Sequence, residues 1–432
     1  MTHDVAVIGA GPAGLLAAKR IAERSLRVVV IEKKRDVSKI TRACSQLFIM
    51  DKDYEKESIQ VKEGKIIFPR NDFEVDYAGP TFNIIDTYRI SPNGRKVHFA
   101  NKDKSPNAIK FDKGMLLKDL WEKCERTGVE FRSGTVAYDA KDSAQGVAVS
   151  LTCRGAKSTL RAKKIIVADG GNSRISEALG MNKGRALFAT APCMIYTIEG
   201  VKDFERTAWK RYHIGHPYQS RMPVVMHASL EGENIAELVI MGSKNQTPDQ
   251  IYYDITTKGP MANLFEKAEV IRKTGAVVKV FNPMRIPYQG NVLVIGDAGA
   301  FVEVEVQGGL MCGFHGSNAV IKEMSGEGGF EEYTKWWQDS FEFQNEEELK
   351  KSMSTLLSAT FCADDELDYL FALTEDEVLE GTYSQWNQPK LMWASILRHR
   401  EKIAREKPEL YEKIQKSLGM TFDELYSRSS HE

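Results

Sequence analysis

Hydrophobic positions near the start of the chain predict a strand, a turn, a helix and a second strand. The apolar run at residues 5–8 is short, as in a parallel strand that is covered on both faces. Residues 15–24 have helical periodicity, and the apolar run at residues 28–31 ends in Glu32. Three glycines with the spacing G-x-G-x-x-G separate the first strand from the helix: Gly9, Gly11 and Gly14.

This glycine spacing predicts a pyrophosphate site. Gly9 allows a tight turn, Gly11 lets the backbone approach a pyrophosphate, and Gly14 lets the helix pack closely on the strand. The N-terminal amides and the dipole of the helix then face the phosphates. Glu32 stands where an acid accepts hydrogen bonds from an adenosine ribose. This stretch alone leaves both NAD and FAD open.

The remaining patterns predict a second sheet and a helical end. Strand-like runs between residues 65 and 99 and between residues 190 and 245 indicate strands inserted from an antiparallel domain. Helical periodicity is present at residues 112–124, and again at residues 250–273. Beyond Gly329 the chain is helical, with charges interleaved among large apolar residues. That part is either an amphipathic cap or an apolar face that covers a substrate or meets a partner.

Two more predicted strands end in an acid beside a glycine. Residues 164–167 are followed by Asp169 and Gly170, and residues 292–295 are followed by Gly296 and Asp297. Doubly wound folds bind ligands at the carboxyl ends of their strands. For Asp169, a simple helix cap is the alternative, since a helix is expected to start near Ser173.

The segment after Asp297 carries candidate chemistry. Gly308 and Gly309 permit close backbone approach, and the following helix offers amides to an anion or a ring carbonyl. A flavin needs such donors where negative charge accumulates on reduction. Glu303 and Glu305 are either acid/base groups in an apolar pocket or exposed loop carboxylates.

A polar segment at residues 41–47 follows the second strand, which places it beside the ligand. Arg42 is a candidate contact for flavin or phosphate, and Cys44 for the neighbourhood of a reactive ring. A surface loop with a buried thiol is the alternative.

Composition excludes several classes of function. The net charge of −1 gives no reason to expect nucleic acid or an anionic membrane as a partner. No apolar run approaches 18 residues, and the first strand starts too early for a signal peptide, so we predict a cytoplasmic location with at most peripheral membrane contact. The six cysteines form no C-x-x-C pair, and His213 and His216 are the nearest approach to ligand spacing, so we predict no metal.

Taken together, the three strand ends resemble those of the FAD-dependent oxidoreductases that include p-hydroxybenzoate hydroxylase, over roughly residues 2–322. The resemblance implies that FAD is the cofactor. By resemblance, Asp297 contacts the ribityl or pyrophosphate part, Asp169 bridges the flavin and nicotinamide sides, and Val136 meets the adenine. Lys113 stands where the family usually has Arg. The predicted FAD contacts are Gly9, Gly11, Pro12, Ala13, Gly14, Glu32, Lys33, Arg42, Ala43, Cys44, Lys113, Val136, Asp169, Gly170, Gly296, Asp297, Gly308, Gly309 and Leu310.

Within that family, residues 296–302 and 307–309 look like the geranylgeranyl reductase and FixC-like branch. Hydroxylases usually place a proline after the Gly-Asp segment, and this chain has residues 302–305, Val-Glu-Val-Glu, there. The isoprenoid reductases carry an aromatic Tyr-x-Trp-x-Phe-Pro stretch where this chain has residues 236–243.

The predicted fold class is α/β, with three parts. An FAD-binding Rossmann-like domain of the glutathione reductase type combines residues 1–64, 105–182 and 285–325. A substrate-binding antiparallel β-sheet domain combines residues 65–104 and 183–284. Residues 326–432 form a helical C-terminal region.

The predicted activity is that of a reductase or dehydrogenase. It would move hydride between flavin N5 and a carbon–carbon bond of a mainly apolar small molecule, with Glu303, Glu305 and Cys44 as catalytic residues. An NAD(P)H-dependent flavin monooxygenase and an electron-transfer flavoprotein are the alternatives. Because no second G-x-G-x-x-G unit is present, electrons come either from NAD(P)H docking transiently or from a protein donor.

Overall fold

The computed structural model describes residues 3–202, 204–214, 222–259, 261–421 and 424. Its strands are β1 (His3–Ile8), β2 (Val28–Glu32), β3 (Leu47–Ile49), β4 (Gln60–Lys62), β5 (Lys65–Phe68), β6 (Phe73–Asp76), β7 (Thr81–Ile84), β8 (Asp86–Ile90), β9 (Lys96–Phe99), β10 (Ala108–Phe111), β11 (Glu130–Ser133), β12 (Val136–Ser143), β13 (Gly146–Cys153), β14 (Ala156–Val167), β15 (Leu187–Glu199), β16 (Ala208–Tyr212), β17 (Val224–Ala228), β18 (Ile235–Met241), β19 (Glu269–Phe281), β20 (Tyr288–Gln289), β21 (Val292–Val294) and β22 (Val378–Leu379).

The α-helices, in chain order, are α1 (Pro12–Ala22), α2 (Lys113–Arg126), α3 (Arg174–Ala178), α4 (Pro248–Thr257), α5 (Glu305–Met324), α6 (Gly329–Ser340), α7 (Glu346–Ser358), α8 (Asp364–Ala372), α9 (Asn387–Leu397), α10 (Arg400–Glu406) and α11 (Pro408–Leu418). Together with the sheets described below, they confirm the predicted α/β class with an antiparallel sheet and a helical C-terminal region.

The first sheet brings the three predicted strand ends together. Its order is β11-β2-β1-β14-β13-β12, with β21 beside β14. The strands β11, β2, β1, β14 and β21 run parallel. Ile8 pairs with Val167, and Val167 pairs with Val294, so the turns after these strands are neighbours. The helices α1 and α5 pack beside this sheet, and their apolar faces share its core.

The predicted strand at residues 164–167 is the last part of a longer strand. In the structure it belongs to β14, which pairs with β13 along its first part and with β1 and β21 along its last. The burial along β14 changes accordingly, from mostly exposed to fully buried.

The second large sheet has the order β19-β15-β18-β17-β16-β8-β9-β22. One of its faces packs on α4, through a cluster that includes Tyr196, Met226, Leu238, Ile251 and Ile255. The opposite face meets the segment before β3 through Glu237, whose Oε2 accepts a hydrogen bond from Lys110 Nζ at 2.6 Å, and Lys110 Nζ also donates to Ser45 O at 2.7 Å. We call this opposite face the inner face.

The helix predicted over residues 250–273 is wrong beyond Thr257. The helix α4 ends there, a short 3-10 helix follows at Ala262–Leu264, and Glu269–Phe281 is strand β19. Residues 269–277 alternate between exposed and half-buried, which is the period of a strand rather than of a helix. Ile271, one of the apolar positions behind the prediction, has 47% of its surface exposed.

The C-terminal region joins the second sheet. Its strand β22 pairs in parallel with β9, and a cluster of buried residues joins β9 to helices α8 to α11. No helix of the described residues is long and apolar enough to span a membrane.

Candidate active site

The three glycines after β1 serve two different purposes. Gly9 has φ of +105°, and a Cβ built on it lies 2.3 Å from the carbonyl oxygen of Ala168. A Cβ on Gly14 lies 2.0 Å from Gly9 O, so both positions are closed to any side chain. A Cβ on Gly11 meets nothing within 4 Å. The open space at Gly11 is the place that the spacing predicts for a pyrophosphate.

Glu32 closes the other side of this turn. Its carboxylate accepts a hydrogen bond from Ala10 N through Oε2 and one from Lys34 N through Oε1, both at 2.8 Å. The acid is therefore buried and fixed beside the glycine turn, as a ribose-binding acid requires. Lys33 is exposed at the end of β2, and Val136 opens β12 opposite Thr152.

Two helix N-termini meet at this turn. Neither α1, capped by Gly11, nor α5, capped by Val304, has a side chain bonded to its first amides. A Cβ on Gly309 lies 3.7 Å from Pro12 Cβ and 3.9 Å from Ala13 N. Uncapped amides at two adjoining helix starts favour an anionic group. The residues present therefore fit a dinucleotide with a pyrophosphate.

The structure corrects the position of the second glycine pair. Gly308 and Gly309 were expected before a helix, but α5 already starts at Glu305, so both glycines and Leu310 lie inside it and are buried. A Cβ on Gly308 approaches Val304 Cβ at 3.0 Å and Phe341 Cε1 at 3.1 Å. These glycines therefore serve close packing at the start of the helix.

Asp297 shapes the turn between β21 and α5. Its Oδ1 accepts a hydrogen bond from Val304 N at 3.0 Å, and Gly296 before it has φ of +67°. The carboxylate thus fixes the backbone on which Glu303 and Glu305 stand.

Asp169 has one occupied and one free oxygen. Oδ2 accepts a hydrogen bond from Arg174 N at 3.1 Å, and Ser173 caps the same helix by accepting from Ser176 N. Oδ1 is buried and has no hydrogen-bond partner among the described residues. Burial raises the pKa of Asp169, against the hydrogen bond from Ser173. The helix cap is therefore real, and it leaves one oxygen for a ligand.

The segment of residues 42–44 crosses the site. Arg42 lies against Gly170, since a Cβ there would be 3.1 Å from Arg42 Nη1. The half-buried Cys44 has its Sγ 3.6 Å from Lys113 Nζ at the start of α2. The segment with Arg42 and Cys44 thus meets Lys113 and Gly170, which come from distant parts of the chain.

Glu303 and Glu305 flank Val304 at this place. Glu303 is solvent-accessible, but the protein atoms that crowd its carboxylate raise its pKa to about 7, with a further rise from Asp297 that Arg42 and Lys113 oppose. Burial raises the pKa of Glu305 well above its ordinary value, and Glu303 and Cys44 add to this rise. Glu305 also has φ of +57°, a strained conformation for a residue with a side chain. Both carboxylates therefore hold a proton more tightly than exposed glutamates do.

Two tyrosines near these carboxylates were missed by the sequence analysis. Burial raises the pKa of both Tyr54 and Tyr383, and the charges of Glu303 and Glu305 raise each further. Tyr383 comes from the C-terminal region and has no neighbouring motif in the sequence that marks it. Its approach to Glu305 is visible only in the folded chain.

The structure describes one member of the histidine pair. His213 is buried, with Nε2 3.5 Å from Arg89 Nη1, and burial lowers its pKa to about 3. His216 lies outside the described residues. Among the described residues no group of three or more His, Cys, Asp or Glu is placed to hold a metal ion.

Comparison with known proteins identifies the class. The family model described as pyridine nucleotide-disulphide oxidoreductase matches residues 3–193. The chain is 23% identical over 356 residues to the digeranylgeranylglycerophospholipid reductase of Methanococcus vannielii, covering 79% of this chain and 84% of that one.

Solved structures share the fold. A geranylgeranyl bacteriochlorophyll reductase-like protein of Thermoplasma acidophilum has a TM-score of 0.70 at 18% identity, covering 96% of this chain and 99% of that one. The p-nitrophenol 4-monooxygenase of Pseudomonas putida has a TM-score of 0.61 at 14% identity, covering 95% and 98%.

The glycine turn, the two adjoining helix starts and these matches define an FAD-dependent oxidoreductase. Within that class the chain is similar to the geranylgeranyl reductases, the branch that residues 296–302 and 307–309 resemble.

Proposed function

We propose that this protein is a reductase that adds hydrogen across a carbon–carbon double bond of a mainly apolar small molecule, or catalyses the reverse reaction. The observation that carries the proposal is the pair Glu303 and Glu305, two carboxylic acids with raised pKa values beside Cys44. The reductase names of its relatives support the same reaction class.

The chemistry divides between cofactor and protein. Bound FAD supplies the hydride through its N5. When a double bond accepts a hydride at one carbon, the other carbon must accept a proton, and a protonated carboxylic acid close by can donate it. Glu305 holds such a proton because its pKa is well above that of an exposed glutamate. Glu303 is the neighbouring group through which the proton is replaced from solvent, since it is solvent-accessible and its pKa is about 7.

The remaining groups hold the site in shape. Asp297 fixes the backbone between the two glutamates, and Lys113 offsets their negative charge. Cys44 stands beside Lys113 as a second candidate for contact with the substrate or the ring. For the FAD itself, we propose the contacts predicted from the sequence and the three-part division of the chain given there.

The electron donor is part of the proposal. A single dinucleotide fingerprint is present in the sequence, so the reducing equivalents come from NAD(P)H that docks transiently, or from a protein donor. The cytoplasmic location likewise stays a prediction.

One observation favours the flavin monooxygenase as a second candidate. The inner face of the large sheet carries Trp209, Arg211 and His227 as well as aliphatic residues such as Val225, and these polar and aromatic side chains suit a polar aromatic substrate.

An absorption spectrum of the purified protein, followed by anaerobic addition of NADH and NADPH, tests the proposal. We expect flavin bands that bleach without oxygen, and return when an alkene substrate is added and reduced. Oxygen uptake coupled to a hydroxylated product would select the monooxygenase. A colourless protein, or one that only a protein donor reduces and that turns over no substrate, would contradict the reductase.

A further inference from the structure

Two buried arginines stand side by side on the inner face. Arg89 of β8 pairs in register with Arg211 of β16, and their side chains share the face that also carries Trp209. Arg89 is 1% exposed and Arg211 is 7% exposed. Burying a guanidinium is unfavourable unless an anion and hydrogen bonds compensate for the lost water.

The described partners of these guanidiniums are neutral. Arg211 donates from Nη1 to Gln388 Oε1 at 2.6 Å and from Nη2 to Tyr383 O at 3.4 Å. Arg89 Nη1 lies 3.5 Å from His213 Nε2, and its Nε has no partner among the described residues. His213 stays uncharged, because burial and the two arginines hold its pKa at about 3.

The carboxylate of Asp51 does not neutralise the pair. Asp51 acts on Arg211 electrostatically, but its oxygens are engaged by the Thr382 hydroxyl and by Tyr383 N, the latter at 2.9 Å. Burial also raises the pKa of Asp51, which disfavours its charged form. The inner face therefore holds positive charge in excess at this point.

A third donor without a partner lies beside Arg211 on the same face. Trp209 is 2% exposed, and its Nε1–H has no acceptor among the described residues. Its ring centre lies 5.7 Å from Arg211 Cζ and 4.7 Å from the ring centre of Tyr383, which crosses it edge-on. Through Tyr383 this group adjoins Glu303, Glu305 and Cys44.

We infer that Arg211, together with Arg89 and Trp209, binds an oxyanion at one end of the substrate, either a carboxylate or a phosphate. The donors of a guanidinium fit both groups in a fork, and the indole N–H adds a third hydrogen bond. The apolar remainder of the substrate then extends past Tyr383 towards the two glutamates. This inference rests on the proposed function, whose substrate class it narrows to amphiphilic acids.

The test is calorimetric titration of the FAD-loaded protein with octanoate, octyl phosphate and octan-1-ol. These probes share one chain length and differ in the end group. We expect one of the two anions to bind at least about tenfold more tightly than the alcohol. The anion that binds more tightly shows whether the subsite prefers a carboxylate or a phosphate. Arg211→Gln is expected to remove this preference. Lys210→Gln should keep it, because Lys210 is the next residue on β16, faces the other side of the sheet and pairs with Glu205.

Two further variants test the inference if Arg211→Gln does not fold. Trp209→Phe keeps an aromatic ring and removes only the N–H, and Arg211→Lys keeps the charge and removes the fork. Each should lower the preference several-fold. Equal binding of all three probes by the wild type would overturn the inference, as would an unchanged preference in Trp209→Phe and Arg211→Lys. A colourless wild type defeats the proposed function, whereas a yellow protein without anion preference defeats this subsite alone.

Discussion

The side-chain amide of Gln307 hydrogen-bonds to both backbone polar groups of Ile49. Gln307 Oε1 accepts from Ile49 N at 2.7 Å, and Nε2 donates to Ile49 O at 3.4 Å. Ile49 ends β3, which directly follows the segment with Arg42 and Cys44, and Gln307 lies in the first turn of α5, next to Glu305. This one side chain therefore ties together the two segments that carry the candidate catalytic residues.

Replacing Gln307 by leucine should destabilise the protein. The substitution leaves two backbone groups beside a buried side chain without partners, at a cost of about 1–3 kcal/mol each. The free energy of unfolding, measured with urea, is expected to fall accordingly. Gln307→Glu keeps the acceptor and loses the donor, so its free energy of unfolding should lie between those of the wild type and Gln307→Leu. An unfolding free energy equal to that of the wild type in Gln307→Leu would contradict this account.

Gly11→Val should abolish FAD retention without unfolding the protein. Gly11 has φ of −77°, which valine adopts freely, and the added side chain projects into open space. That space is where a pyrophosphate is expected. The methyl groups of valine should therefore block binding of the cofactor without preventing the chain from folding. The measurement is flavin absorbance per mole of purified protein. Gly11→Ala, which adds a smaller side chain at the same position, is measured alongside. Full flavin occupancy in Gly11→Val would show that the pyrophosphate does not bind at this position.

Glu305→Gln should lower turnover while FAD stays bound. General acid catalysis contributes about 10²–10⁴-fold, and the amide has no acidic proton to give. Glu303→Gln should slow the reaction less and change its pH dependence, because the raised pKa of about 7 belongs to that carboxylate. In the wild type, the rate should fall as the pH rises through this value.

The matched control for both variants is Glu327→Gln, an exposed carboxylate beyond α5. Steady-state rates at several pH values, with flavin content measured alongside, separate chemistry from cofactor loss. If both Glu303→Gln and Glu305→Gln react at the wild-type rate, these carboxylates take no part in catalysis.

Glu55 should make the stability fall as the pH rises. Burial raises its pKa to about 8, with Glu342 N bonded to its Oε2 at 2.9 Å. A carboxyl whose pKa is raised on folding binds its proton more tightly in the folded state, so stability declines from about its unfolded pKa up to about pH 8. The decline is about 5 kcal/mol.

Glu55→Gln removes this titration and keeps an acceptor for Glu342 N. Its melting temperature should therefore fall less than that of the wild type between pH 5 and pH 8. Parallel melting curves across that range in the two proteins would show that Glu55 keeps an ordinary pKa.

The sequence predicts best where local pattern and chemistry agree. The glycine turn, Glu32 and the strand ends at Asp169 and Asp297 carry short-range signals, since each needs a particular residue at a particular strand end. The register of β1, β14 and β21 then brings them together. The helix over residues 112–124 is likewise a local signal, and the structure has α2 there.

The rest depends on contacts between distant parts of the chain. The apolar spacing over residues 250–273 fits a helix, but pairing of β19 with β15 decides the outcome. The amide of Gln307, the ring of Tyr383 and the guanidinium of Arg211 acquire their roles from partners far away in sequence. No pattern along the chain marks them.

The parallel pairing of β22 with β9, and the hold of Asp51 on Thr382 and Tyr383, have an evolutionary consequence. Mutations after α5 can reshape what the enzyme accepts, while the glycine turn and the two helix starts that bind the nucleotide lie earlier in the chain and are inherited unchanged. Diversification of such proteins towards new compounds should therefore be concentrated near the carboxyl end.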